Sequence, residues 1–434
     1  MTRVSTLLLA VVLVLVVTVP LRVRAAESVL RVGLTGTAQQ TEAEASRKIA
    51  AQSTPLRLAV VVLDPGIPES EKKQDQQGIW PELRKTEAIR SAVLIANAVR
   101  DLHSFERVQV VPDASLTADL YLTGRIDLSD GERLRIHYSL KDITGNTWFK
   151  NEVAFHRVEV GWYLRHENDG SEPFQPVYDQ VSNRIKRALN PLVASHAKQV
   201  RKNAQRARSG KSKNLSQIDR IVMTRRGLFA QYFAPDRYAG IVSSAGNGLK
   251  LNYLPNVGDE DWTRILAIQQ RDDAFAEHVH DIYGGFAAEI QDPYYIYQME
   301  SFPVARALRL SRRTAAYTKV LGAVLVAAAV AQAADGMEGT GDRDRAKILA
   351  GVGAIASAVG MMKGANARAS LTHLNEISKS FHDSVKPTRV EVSGEVVELT
   401  GTVHEQYTQW RQLLVEEHRR NQLDTDVVLV VSDP

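Results

Sequence analysis

The best metal-binding candidate in the sequence is Glu277-His278-Val279-His280-Asp281. Imidazole and carboxylate are the ligands open to a zinc ion in a chain with no cysteine. Spacing decides whether they can act together. Histidines two apart share a face on a strand, whereas on a helix they stand about 200° apart and cannot hold one ion. Ile265, Ile268, Phe275, Val279, Phe286 and Ile290 recur at helical spacing, with a break expected at Gly284-Gly285. A helix therefore parts His278 from His280, and no metal ligand is assigned. Tyr294, Tyr295 and Tyr297 follow Pro293. They read either as an aromatic face for a sugar or peptide, or as a packing corner with hydroxyls turned to water, and the packing corner is expected. His103, His137 and His156 are scattered. A Gly-x-Ser-x-Gly elbow, a phosphate-binding loop, a dinucleotide fingerprint and a His-Glu-x-x-His pair are all missing from the sequence. Nothing ties two carboxylates into one cleft for acid–base work. No catalytic or cofactor-binding residue is assigned, no cofactor is implied, and the chain reads as non-enzymatic.

What must be positioned, then, is an architecture rather than a known reaction centre. The 434 residues, 24% of them charged, suffice for two to four domains with ordinary globular cores. The lack of cysteine excludes disulfides, thiolate metal sites and a lipid anchor on an amino-terminal cysteine. Arg3, an apolar run from Leu7 to Val17, Pro20 and then Val23-Arg24-Ala25 have the layout of an export signal, with cleavage expected after Ala25. The run is short of the ~20 residues that span a bilayer, so a retained anchor is the second reading. Arg3, Arg22 and Arg24 leave with the signal, and the mature chain is close to neutral. Charge gives no argument for nucleic acid, and none is expected as a partner.

From residue 54 the first folded unit unfolds as strand, helix, strand. Leu56 to Leu63 is a buried-strand run ended by Asp64-Pro65-Gly66, residues 67–82 read as loop, and apolar residues from Ile89 to Leu102 recur at helical spacing. Phe105 to Val111 is a second strand. Leu120, Leu122, Ile126 and Leu128, then Leu134, Ile136, Tyr138 and Leu140, alternate on either side of Ser129-Asp130-Gly131-Glu132, which predicts a hairpin. A further turn at Asp142-Ile143-Thr144-Gly145 leads into Trp148. The stretch "ADLYLTGRIDLSDGERLRIHYSLKDITGNTWF" with the preceding elements (residues 55–150) resembles the TolB amino-terminal domain and the periplasmic domain of the curli secretion channel subunit. That resemblance implies a fold and a periplasmic setting. It carries no site residue.

A helical unit follows, with Phe174, Val177, Val181, Ile185, Leu189 and Leu192 as its stripe behind Pro173 and Pro176. Between Arg184 and Arg226 stand thirteen Lys and Arg and a single acid, Asp219, whereas Asp259 to Asp292 holds nine acids and two arginines. One reading makes the basic segment a patch for anionic lipid, lipopolysaccharide phosphate or an acidic partner. The other, favoured by the sequence, pairs it with the acidic segment inside the fold. "LSQIDRIVMTRRGLFAQYFAP", "RILAIQQRDDAFAEHVHDIYGGFAAEI" and "DPYYIYQMES" resemble a set of uncharacterised exported proteobacterial envelope proteins, which supports helices here.

Val320–Ala334 and Ile348–Met362 are apolar arms of 15 residues around a polar, glycine-rich loop. Ala323, Ala327 and Ala331, and Ala350, Ala354 and Ala358, form the small-residue rows that let helices approach closely. Each arm is about 22 Å long as a helix. That is short of the ~30 Å hydrocarbon core. The basic flanks Arg309, Arg312, Arg313, Lys319, Lys363 and Arg368 also oppose the positive-inside rule. A packed helical hairpin is expected over a membrane-spanning one, and self-association through it stays open. Leu371 to Phe381 continue a helix up to Pro387. "VEVSGEVVELTGTV" makes two short strands and resembles half of a BON module, after which come a helix through Tyr407, Trp410, Leu413 and Leu414 and a final strand over 426–431.

The sequence thus predicts an α+β chain: a signal peptide (1–25), a TolB-like α/β domain with a β-meander (26–157), a mainly helical domain (158–315), the small-residue hairpin and following helix (316–385), and a small βαβ-like module (386–434). The expected function is assembly or protein interaction in the periplasmic cell envelope near the outer membrane, with envelope proteins or outer-membrane components as partners. A membrane-inserted oligomer or pore component using 320–362, and an envelope hydrolase with an unrecognised site, are the alternatives.

Overall fold

A computed structural model describes residues 54–430 apart from 78, 115–116, 167–168, 210–213, 257, 319–364 and 393. The expected signal peptide and the small-residue hairpin at 320–362 lie outside the described residues. The expected α+β architecture holds: a five-stranded mixed sheet, a helical middle and a two-stranded sheet near the carboxyl end.

The sheet has the order β2-β1-β3-β4-β5, with β1 Thr54–Val61, β2 Phe105–Val111, β3 Leu120–Asp130, β4 Arg133–Asp142 and β5 Thr147–Arg157. β1 runs parallel to both β2 and β3, and β3, β4 and β5 form the antiparallel meander. The parallel β1–β2 pair needs a crossover, supplied by a short helix α1 (Glu71–Gln77) and the long α2 (Pro81–Arg100). Residues 67–82, expected as loop, thus hold one helix and open another. Pro81 sits in the first turn of α2, where its missing N–H costs nothing, with Glu82 beside it and Arg100 at the far end, as the helix dipole favours. Successive side chains of β1 point to opposite faces. Leu56, Leu58 and Val60 are buried on one face, and Arg57 and Ala59 are buried on the other. A strand buried on both faces reads as a continuous apolar run.

The remaining helices are α3 (Trp162–Arg165), α4 (Gln175–Arg208), α5 (Gln217–Phe233), α6 (Pro235–Tyr238), α7 (Glu260–Glu289), α8 (Gln291–Thr318), α9 (Ala365–Asp383) and α10 (Val403–Val430). The sequence reading of 158–315 as mainly helical misses one hairpin, β6 (Val242–Ala245) with β7 (Gly248–Leu251). Four-residue strands are too short to show alternation. α7 runs unbroken through Gly284 and Gly285, and the chain instead turns at Ile290. Two glycines weaken a helix by only about 1 kcal/mol each, which the packed faces of Tyr283, Phe286 and Ala287 outweigh. β8 (Thr388–Val392) and β9 (Glu395–Leu399) pair antiparallel across Gly394, whose positive φ of 81° suits glycine. The expected final strand at 426–431 is corrected. α10 is helical to Val430, so the module is ββα. Once a helix has nucleated, each added residue gains a hydrogen bond, which overrides the β preference of a short valine-rich run.

Two clamps hold the meander. At one end Gly131, in the β3–β4 turn, lies against Gln298, Ser301 and Phe302 of α8 with no room for a Cβ. Beside it the buried Glu132 carboxylate takes both Nε and Nη2 of Arg309, at 2.7 and 2.6 Å. At the other end Asp142 organises the β4–β5 turn. Its carboxylate accepts from Thr144 Oγ1 (2.6 Å), Asn146 N (3.1 Å) and Trp148 Nε1 (3.0 Å). This gives the Asp-x-Thr-Gly…Trp pattern a physical content. Gly145, at φ 91°, comes so close to Gly248 that a Cβ on Gly145 would stand 2.7 Å from the Gly248 backbone. Leu249 N donates to Ile143 O at 3.1 Å across the same contact.

Two glycine substitutions separate these roles. Gly248→Ala should destabilise the fold by about 1–3 kcal/mol because backbone faces backbone there. Gly285→Ala, exposed and with open space around it, should stabilise by about 0.5–1 kcal/mol. Urea midpoints of the two variants check both, and a loss for Gly285→Ala would show that α7 is not continuous there.

Candidate interaction surface

The charged residues sort into an interior set and an exterior set. The interior centres on Asp119, fully buried just before β3. Its Oδ2 accepts from the backbone N–H of Arg57 at 2.8 Å, and its Oδ1 from Nε of Arg225 on α5 at 2.8 Å. Arg57 in turn reaches Asp273 on α7 at 2.5 Å and Glu106 on β2 at 3.0 Å. Burial pushes the Asp119 carboxyl up, and the Arg225 and Arg57 charges pull it back. Burial beside Arg225 and Arg57 pushes the neighbouring Arg226 guanidinium down. The sequence hid this centre, because its members are scattered from residue 57 to residue 273 and no local spacing shows that Arg57, Asp119, Arg225 and Asp273 meet.

Five acids of the acidic segment have partners: Asp273 joins the buried centre through Arg57, and four more pair at its margins or at the surface. Glu277 takes Arg100 at 2.6 Å, Asp259 and Asp261 take Arg237 at 3.3 and 2.5 Å, and Asp272 receives the Tyr407 hydroxyl at 3.2 Å with Arg411 beside it at 3.7 Å. Burial raises Asp272 to about 6. Among the described residues no ion pair joins this segment to the basic one at 184–226. The intramolecular neutralisation favoured by the sequence is therefore replaced by a division of labour.

His278 and His280 go separate ways, as helical spacing requires. His278 Nε2 meets Thr388 Oγ1 of β8 at 3.0 Å, and His280 Nδ1 accepts from Val110 N at 3.2 Å. β2 is an edge strand, so His280 satisfies a donor that the sheet leaves open. Burial and the nearby Arg100 charge push the His280 imidazole down, which keeps it the neutral acceptor the contact needs. Tyr294, Tyr295 and Tyr297 form a packing corner, but their hydroxyls are turned to protein partners and not to water. The Tyr294 hydroxyl is turned inward, donating to Glu87 at 3.0 Å, while Tyr295 donates to His166 O at 3.1 Å. Among the described residues no group of three or more histidines and carboxylates is placed to hold a metal ion. His137 pairs with Asp127 at 2.7 Å on the meander surface.

Two exterior features stand apart. A cleft of about 200 Å³ opens beyond the carboxyl ends of β1 and β2, lined by Val62, Pro112, Tyr283, Phe381, His382 and His404. Asp113 pairs with His404 at its rim at 2.9 Å. Such crevices are where open α/β sheets bind ligands, but this one is smaller than the ~300 Å³ usual for a small-molecule site.

The larger feature is α4. Its first half is the predicted stripe, with Val177, Tyr178, Val181, Ile185 and Leu189 buried. Pro191 cannot donate to the carbonyl of Arg187, and beyond it no residue of the helix is buried. The exposed side carries Lys198, Arg201, Lys202 and Arg208, with Arg187 two turns or more before them. Among the described residues none of these five makes an ion pair. The opposite side of the helix is tied down. His196 meets Ser216 Oγ at 2.8 Å, and Asn203 donates to Asn214 O at 2.8 Å and accepts from Asn214 N at 3.0 Å. Ser216 and Asp219 form a capping box that starts α5 just there.

No family model matches the chain, and neither does any curated protein or solved structure. The site is defined by its own geometry: a helix tied down on one side and presenting, on the other, cations that make no ion pair among the described residues.

The buried centre and the edge contact each yield a measurable consequence. Arg225→Met leaves the Asp119 carboxylate in an apolar interior with one partner fewer and should cost about 3–5 kcal/mol. Asp119→Asn with Arg225→Met together should cost less than the sum of the singles, which a double-mutant cycle in urea reads directly. For His280 the folded pKa lies below the unfolded one, so its contribution is whole above the unfolded value near 6.5 and is lost as pH falls through the folded one. His280→Gln keeps an acceptor for Val110 without a titration. Between pH 7 and pH 5 this variant should lose less stability than the wild type, while the other titrating groups are common to both.

Proposed function

We propose that the chain is a non-enzymatic, exported protein of the cell envelope that works by assembly or interaction near the outer membrane. The observation that carries this reading is the braced, unneutralised basic side of α4. A cationic side left without ion pairs suits recognition of an anionic partner. The export-signal layout of residues 1–25 and the resemblance of residues 55–150 to periplasmic domains support the compartment. The described charged and aromatic clusters join elements to one another, which suits a scaffold.

A second reading gives the small-residue arms at 320–362 a role in membrane insertion or self-assembly. Among the described residues no helix is long and apolar enough to cross a membrane, and the arms lie outside them. Fractionation of cells expressing the full-length chain, beside a variant lacking residues 320–362, separates the two. The proposal expects both proteins in the periplasmic fraction, released by osmotic shock and washed from membranes by carbonate. Recovery of the mature wild type solely in the cytosol overturns it. Carbonate resistance lost with the deletion transfers the function to the arms.

A further inference from the structure

We infer that the basic side of α4 docks on the phosphate headgroups of an anionic lipid surface. The inference rests on the envelope reading above and names the partner of that same surface. Four features argue for it.

The first is geometry. At about 100° per residue, Arg187, Lys198, Arg201, Lys202 and Arg208 fall within an arc of about 120° and so share one side of a single helix. From Lys198 to Arg208 the side is about 15 Å long, and from Arg187 about 32 Å. Several headgroups can be met at once along such a length.

The second is the lack of internal competition. α4 carries no acid after Asp179. Asp219, the lone acid of the basic segment, lies 3.8 Å from His196 on the side that packs against α5. Five of the nine acids in the acidic segment are engaged elsewhere, with Arg57, Arg100, Arg237 and Arg411, and among the described residues none of the nine pairs with α4.

The third feature distinguishes a lipid surface from a folded acidic protein. Protein interfaces are built around buried aromatic or aliphatic anchors. The residues interleaved on this side are Asn183, Asn190, Pro191, Ala194 and Gln205, all exposed and none large and apolar. A side without anchors has little to hold a patterned partner. It suits a diffuse layer of phosphates, where each Lys or Arg adds its own increment.

The fourth is orientation. The bonds from His196 and Asn203 to residues 214–216 fix which side faces outward. The basic side is thus presented with its orientation already set, so little ordering remains to oppose binding.

The test is sedimentation of the full chain with vesicles of phosphatidylethanolamine and phosphatidylglycerol, beside vesicles of phosphatidylcholine alone. The comparison variant is Lys198→Gln, Arg201→Gln and Lys202→Gln, which keeps good helix formers at exposed positions. A charge-matched control replaces the exposed Lys72, Lys73 and Lys250 by Gln. The inference expects binding to the anionic vesicles that weakens as salt rises through the physiological range. Each Lys or Arg near such a surface contributes about fivefold, so the α4 triple variant should bind on the order of a hundredfold more weakly. The control should bind within a few-fold of the wild type.

Three results overturn it: no preference for anionic over neutral vesicles, equal loss in the control and the α4 variant, or displacement of the chain from vesicles by duplex DNA at matched phosphate. Secretion with no vesicle binding sinks this inference and leaves the envelope reading intact. Vesicle binding by a chain found only in the cytosol does the reverse.

Discussion

A buried carboxylate is the constraint around which the rest of the chain is arranged. Removing the Asp119 charge from water costs several kcal/mol unless donors replace the lost hydration. The donors come from far apart in sequence: the backbone of β1 and the guanidinium of Arg225 on α5. The Asp119 backbone takes part as well, since its N–H bonds to Arg57 O and its carbonyl accepts from Ile143. One residue thus fixes where β3 begins, how α5 lies against β1, and where the β4–β5 turn closes. Arg57 extends the bond set to α7 through Asp273. None of these elements can shift alone without exposing a charge to an apolar interior.

Elements whose packing follows a simple period were legible in the sequence. Phe105–Val111 is a strand with the expected limits, and the hairpin around Gly131 follows from two alternating runs and a turn. The buried half of α4 is the stripe read from Val177 to Leu189. The failures have identifiable causes. The Gly284-Gly285 pair marks a helix end only where nothing outweighs its local cost, and there Tyr283 and Phe286 are in the core. The strand expected at 426–431 ignored the helix already propagating into it. β6 and β7 are too short for any pattern. The candidate surface was half legible. The run of Lys and Arg was visible, but its freedom from partners depends on where Asp259 to Asp292 fold, and no local rule contains that information.

The division of charge gives the chain its character. Nine acids crowd the segment from Asp259 to Asp292, and five of them tie α7 and its amino end to β1, α2, α6 and α10, two from buried positions. The exposed side of α4 keeps its cations without ion pairs among the described residues. A chain near neutrality can therefore present a strongly positive side to its surroundings, because its negative groups are screened by their own partners. Net charge conceals this, and only the pairing reveals it.

The contact between Gly145 and Gly248 has a bearing on how such a chain can change over generations. Two turns from separate hairpins meet there backbone against backbone. A side chain at either position has nowhere to go, so single replacements are closed to drift. Lengthening one turn would move it away from the other and break the bond from Leu249 to Ile143. Descendants of this sequence are therefore expected either to retain both glycines together or to remodel both hairpins in concert. The pair behaves as one heritable unit written at two distant places in the chain.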